Sequence, residues 1–360
     1  MFFYITGGIS MFFKNSIYLW VFLTIFLSAK EINLTMNDKN STSRKDDVVK
    51  FAVEVGAKTN FWTPGISGNV IDYNTEGLQL GFGKLKLKLY DSDVFTLEKY
   101  ATFQQSENQT ELLVSYKDDK KHESSIDGFR VTLQVMKIVN YLFDKEWFNG
   151  VNYEFNQRNF LGDATLLQNS KYWFGKLNGA VAGEDFVRLE RGTNLAFKTK
   201  FTSHKLSYRF DDVLHLTKGD FFSVGVFDEE WSKPTLIGDS LNGEEPLIFD
   251  ANYYVRGIST TLGIKHEKYQ VEGYLDYGFD NEMDIIQKGD NYSSLNRDVD
   301  MYRVGARASY RFADVYKTKF FNMDFLLGAE MQYNQLTEGS ELALDAETLY
   351  GVNAGIEVVF

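Results

Sequence analysis

Arg303, Arg307 and Arg311 recur at every fourth position of one stretch, while Tyr302, Val304, Ala306, Ala308, Tyr310 and Phe312 take the alternate places. A period of two puts these sets on opposite faces of a β-strand. At about 3.3 Å per residue the arginine row extends over about 26 Å. Guanidinium groups stay charged and order anions; they do no acid–base chemistry near neutral pH. The next stretches carry the complement. Asn322, Asp324 and Glu330 alternate with Met323, Phe325 and Met331, and Glu357 alternates with Ile356 and Val358. Pairing Phe312 with Phe321 would set Arg303 opposite Glu330, with Asp324 diagonally between Arg307 and Arg311. Earlier polar faces carry Lys198, Lys200, Lys205 and Arg209, and later ones Glu272 and Asp276. Rows of opposite charge lining a water-filled path would set up a transverse field. That is the chemistry of ion selection, not of bond breaking.

One stretch offers a different chemistry. In His122-Glu123-Ser124 the histidine could act as general base to the serine, with Asn140 as a third member. The triplet resembles the His-x-Ser pair of outer-membrane phospholipase A, which an Asn completes on a barrel rim. That family's Asn-Gly after the serine is replaced here by Ser125-Ile126, and Asp118 to Ser125 is a charged loop. The expectation is therefore a solvated loop and no enzymatic activity. His204, His215 and His266 lack carboxylates at metal-ligand spacing. The acidic segments Asp280 to Asp284 and Asp239 to Glu245 have no complete calcium-loop pattern. The chain has no cysteine, which excludes disulfides and thiolate metal sites, and no cofactor is implied. A dispersed net charge of −12 argues against a nucleic-acid partner.

The elements that must position these charges are strands. Among 360 residues 16% are aromatic, and there are only 3 Pro, the residue a hydrogen-bonded ladder excludes. Alternation runs from Val48 onward. Clear segments are Leu206 to Phe210, Tyr269 to Phe279, Tyr302 to Phe312, Phe321 to Tyr333 and Tyr350 to Phe360, with a turn near Ser203 separating off Leu195 to Phe201. Val135 to Phe143 is apolar enough to pass as a short helix. Long connections (Asp228 to Asp250, Asp280 to Asp300, Asn334 to Glu347) alternate with short ones (Lys265 to Glu267, Ala313 to Phe320). Ile17 to Ala29 follows Lys14 and closes on Ser28-Ala29, the plan of a secretory signal peptide, with Met11 a more typical start than Met1. This divides the chain into a signal peptide (1–29), a polar periplasmic stub (30–47) and a barrel (48–360).

The last strand supplies the second resemblance. Tyr350, Ile356, Val358 and Phe360 share one face, and the aromatic Phe360 ends it. This is similar to the carboxy-terminal signature of bacterial outer-membrane β-barrel proteins, which the barrel-insertion machinery reads. The resemblance implies an exported, all-β, transmembrane antiparallel up-and-down barrel of about 14 strands (range 12–16) in the outer membrane, among lipid and lipopolysaccharide. On this reading Arg303, Arg307, Arg311, Asp324, Glu330, Glu357, Glu272, Asp276, Lys198, Lys200 and Arg209 line the lumen. The function expected is a passive porin-like channel for small solutes. The alternatives are a structural or surface-interaction barrel with a closed lumen and, less favoured, a rim-located lipid hydrolase. Deleting Phe360 is expected to lower the yield of the folded, heat-modifiable band in outer-membrane fractions. Barrel refolded in detergent should lose little stability.

Overall fold

The computed structural model describes residues 49–65, 70–73, 77–89, 92–103, 114–116, 124–143, 150–173, 186–212, 219–237, 245–285, 297–298, 300–337 and 346–360. The signal-peptide and stub regions, His122, His215 and the acidic run 239–244 lie outside these residues. Twelve long strands carry the fold. They are β1 (Val49–Thr63), β2 (Leu78–Leu89), β3 (Ser92–Thr102), β4 (Ser125–Leu133), β5 (Val151–Leu166) and β6 (Asn194–Asp211). Then come β7 (Asp220–Ile237), β8 (Leu247–Lys265), β9 (Tyr269–Ile285), β10 (Asp300–Lys317), β11 (Asn322–Thr337) and β12 (Glu347–Val359). Each pairs antiparallel with its neighbours in sequence. β12 returns to β1 through an unbroken ladder from Ala52↔Val359 to Thr63↔Thr348. The result is a closed up-and-down barrel, with no free edge among its twelve strands.

Twelve strands stand where the sequence pattern suggested about 14, and the reason is local. The strand β6 runs through Ser203 without a turn, so two apparent strands are one. The supposed long loop from Asp228 is mostly strand, because β7 continues to Ile237 and β8 begins at Leu247. Likewise β9 runs on through the acidic Asp280 to Asp284. In these extensions the outward residues turn polar, so the apolar alternation fades while backbone pairing continues.

The strand ends that flank 90–91, 134–150, 212–219, 266–268 and 318–321 gather at the rim where β1 begins and β12 ends. This rim is the turn end. The other strand ends are at the opposite, loop end, as are the short paired segments Ile71–Tyr73, Val114–Tyr116, Ser170–Trp173, Phe186–Leu189 and Arg297–Asp298. At the turn end, α1 (Val135–Phe143) buries Ile138 against Leu87, Leu89 and Val94. Asn140 therefore lies at the turn end, whereas Ser124 precedes β4 at the loop end. The length of β4, about 30 Å at 3.3 Å per residue, separates them. Asn140 cannot complete a site with Ser124. No helix among the described residues is long and apolar enough to cross a membrane.

Alternation divides every strand between two environments. Outward positions are large, apolar and exposed, among them Val226, Val271, Val304, Met331 and Val352. Inward positions are charged or aromatic and buried. Space inside is tight enough that glycine is needed: a Cβ on Gly305 would run into the Tyr274 ring. The outward Gly273 has no such neighbour, only the Gly305 carbonyl at 3.8 Å. Gly305→Val is expected to destabilise the barrel by about 1–3 kcal/mol, as overpacked sites do, with Gly273→Ala near neutral. Urea midpoints of the two variants in detergent check this.

Candidate functional site

Inward alternation on strands around the barrel brings the charges together in tiers. Nearest the turn end, β2 presents Lys84, Lys86 and Lys88 on the face opposite Leu85 and Leu87. Lys86 bridges Glu54 and Glu357 at 2.5 Å each, and Lys88 lies 3.0 Å from Glu357. Arg311 donates to Asp324 and reaches Glu357 at 3.5 Å. Asp324 also accepts the Asp314 amide at 2.7 Å. Among these groups a cavity of about 320 Å³ is lined by Lys86, Lys265, Arg307, Arg311, Glu330 and Glu357, among others. Lys137 of α1 is held below its usual pKa by burial and then by the charge of Lys265, which Asp211 partly offsets.

The middle tier is a packed ion cluster. Arg303 makes a two-pronged contact with Glu229, at 2.8 and 2.5 Å, and a third hydrogen bond to Asp276 at 3.1 Å. Its guanidinium is 5.6 Å from the Trp231 ring and 5.8 Å from that of Phe201. Lys205 approaches Asp276 at 3.6 Å. Beside this cluster Arg307 is 3.4 Å from Glu272 and stands over the Tyr274 ring, and Arg130 meets Glu154 at 2.6 Å. A cavity of about 60 Å³ lies among these groups.

The upper tier excludes water by apolar packing. Trp62, Leu80, Ile126, Phe160, Leu195 and Phe197 form one buried cluster, joined from the loop end by Ile71, Tyr172 and Leu189. A second contains Phe201, Trp231, Phe249, Tyr253, Met283 and Met301. Some buried polar atoms there are paired: Trp62 Nε1 and Arg158 both donate to Glu347, at 2.8 and 3.2 Å, and Tyr172 donates to Asp250 at 2.8 Å.

Against this geometry the sequence-derived residues sort as follows. Arg303, Arg307, Arg311, Asp324, Glu330, Glu357, Glu272 and Asp276 point inward, but Arg303, Asp276, Asp324 and Glu357 are buried among partners instead of facing an aqueous path. Arg209 points inward near the turn end, 2.6 Å from Asp211 and over the Phe221 ring. Lys198 and Lys200 are a correction. On the uninterrupted β6 they share the outer face with Thr202 and His204, because Phe197 and Phe201 fill the apolar upper interior. The pairing of β10 with β11 also differs. Phe312 meets Phe325, Arg307 faces Glu330 and Arg303 faces Asn334. A bulge around Asp314, whose φ is 54°, takes up residues that simple pairing from Phe321 would use. Sequence reasoning missed Glu229, hidden in a stretch read as loop, and the lysines of β2, whose alternation with leucines was a usable signal. Tyr350, Ile356 and Phe360 face outward and are exposed, and the Phe360 amide bonds the Phe51 carbonyl at 2.8 Å.

No family model matches the chain, and no curated protein matches it. Its fold is similar to solved outer-membrane barrels. The β domain of the Bordetella autotransporter BrkA is 10% identical, with a TM-score of 0.32 over 85% of this chain and 99% of that one. The outer membrane protease OmpT of Escherichia coli is 10% identical, with a TM-score of 0.31 over 89% and 99%. An outer membrane channel from Pseudomonas putida F1 is 10% identical, with a TM-score of 0.30 over 89% and 100%. Likenesses this distant assign no activity.

Removing one member of a buried ion cluster leaves its partners uncompensated. Arg303→Met is expected to cost about 3–5 kcal/mol. Adding Glu229→Gln should recover part of it, a coupling that a double-mutant cycle of denaturant midpoints measures.

Proposed function

We propose that this chain is an outer-membrane barrel that is closed at rest and acts through its outer surface and loops, not as a passive pore. The observation that carries this reading is the filled middle and upper lumen. Arg303 and Phe201 are only 5% and 6% exposed, and Trp231 and Tyr253 are fully buried. A selectivity filter needs its charges in contact with water and passing ions. These are in contact with one another. The cavity near the turn end favours the porin-like alternative, since solute could enter there. To continue it would have to displace the Arg303–Glu229 pair and the aromatic layer above.

The membrane assignment rests on the outward face. Val304 and Val352 are 48% and 60% exposed, within an apolar surface that extends around much of the barrel. Exposed apolar surface of that extent needs lipid, and a closed sheet meets the backbone's hydrogen-bonding demand there. On this reading an export signal lies within 1–29, the partners are outer-membrane lipid, lipopolysaccharide and the insertion machinery, and the chain is not an enzyme.

Single-channel recording of refolded protein in planar bilayers tests the proposal. Wild type is expected to show no steady open level, whereas Trp231→Ala combined with Arg303→Ala should admit ions. Sustained wild-type conductance, with selectivity that changes when Arg303, Arg307 and Arg311 are all Gln, would establish the channel instead.

A further inference from the structure

The apolar outer surface is not of even height. On β10 the outward positions stay apolar from Phe312 near the turn end up to Tyr302, about 33 Å along the strand at 3.3 Å per residue. On β12 they stay apolar or small from Val358 to Tyr350. Across the barrel the run is much shorter. On β6 it stops at Leu206, and His204, Thr202 and Lys200 follow; Phe210 to Leu206 covers about 13 Å. On β5 it stops at Phe155, on β7 at Val226, and on β3 already at Leu97.

The outward residues that replace it carry both signs. Lys99 and Asp127 lie 3.9 Å apart with side chains 65% and 51% exposed. Asn159 donates to the same carboxylate at 3.2 Å, and pairing places Asp127, Asn159 and Lys200 in one row across three strands. On the neighbouring β7, Asp228 and Glu230 are exposed on the same outer face. Lys99 stands only two outward positions above Phe95, a depth at which other strands present valine and isoleucine to lipid. A charge facing hydrocarbon there is costly.

We propose that the outer face of β3–β7 is the docking surface for a second copy of this chain within the membrane. The proposal rests on the membrane reading above. A two-fold contact sets one patch against itself, so the patch must be self-complementary. This one is, with Lys99 and Lys200 among Asp127, Asp228 and Glu230 and with amide and hydroxyl groups between them. A surface made for lipid phosphates would carry an excess of cations, and this one does not. Within one chain Asp127 already has Lys99 beside it and Asp228 has Arg256 at 3.2 Å. Apposition of two such faces removes these charges from lipid and sets further charges of opposite sign across from them.

The chain has no native cysteine, so single cysteines report proximity directly. Gln157→Cys lies in the patch, and Met331→Cys lies on the tall apolar side. Treating intact outer membranes with a short bifunctional thiol reagent is expected to give a homodimer band with Gln157→Cys, several-fold stronger than with Met331→Cys. Reversing Lys99 and Lys200 to Glu should lower that band several-fold while leaving the heat-modifiable monomer intact. Three outcomes overturn the proposal in inserted, heat-modifiable protein: no dimer, equal dimer from both positions, or an adduct of another mass. A barrel absent from the membrane fraction would instead overturn the membrane reading, and this inference with it.

Discussion

A backbone amide under an apolar surface needs a hydrogen-bond partner, and the rest of this structure depends on meeting that demand. The ladder between β1 and β12 does so. Once the sheet closes, each residue has only two places to go, the outer surface or the lumen. The same closure fixes the circumference, and with it the volume that inward side chains must fill. Twelve strands enclose less space than 14 would. Inward arginines and carboxylates that a wider barrel could leave in water are here within 4 Å of one another.

That narrowness explains the vertical order of the interior. Toward the turn end, lysines and carboxylates of β1, β2 and β12 pair around a cavity that keeps about 320 Å³ free. In the middle, Arg303 has two carboxylates and two aromatic rings as its surroundings. Above, aromatic side chains pack as the core of a water-soluble protein does, with segments from the loop end set on top. A buried charge cluster adds little net stability compared with apolar packing, but breaking it is costly. The middle tier therefore favours one arrangement of the lumen strongly over its neighbours.

The sequence by itself determined which residues form the exposed apolar outer face on β9 to β12 and β1. Side chains alternate strictly there, and hydrocarbon tolerates only apolar ones, so Tyr302, Val304, Met331 and Val352 are legible without coordinates. The inward direction of Arg303, Arg307, Arg311, Asp324 and Glu357 follows from the same rule. Beyond the apolar belt the rule fails. Phe197 and Phe201 look outward by their chemistry yet point inward, because above the belt it is the interior that excludes water. The extension of β7, and with it Glu229, read as loop for the same reason. What only the tertiary structure decided is how many strands close the sheet and which inward charges meet. Both depend on strand tilt, on the bulge at Asp314 and on pairing between residues as far apart as Glu229 and Arg303, none of which a period of two records. Whether a lumen charge touches water or another charge is set by the radius of the barrel, a property of all twelve strands together.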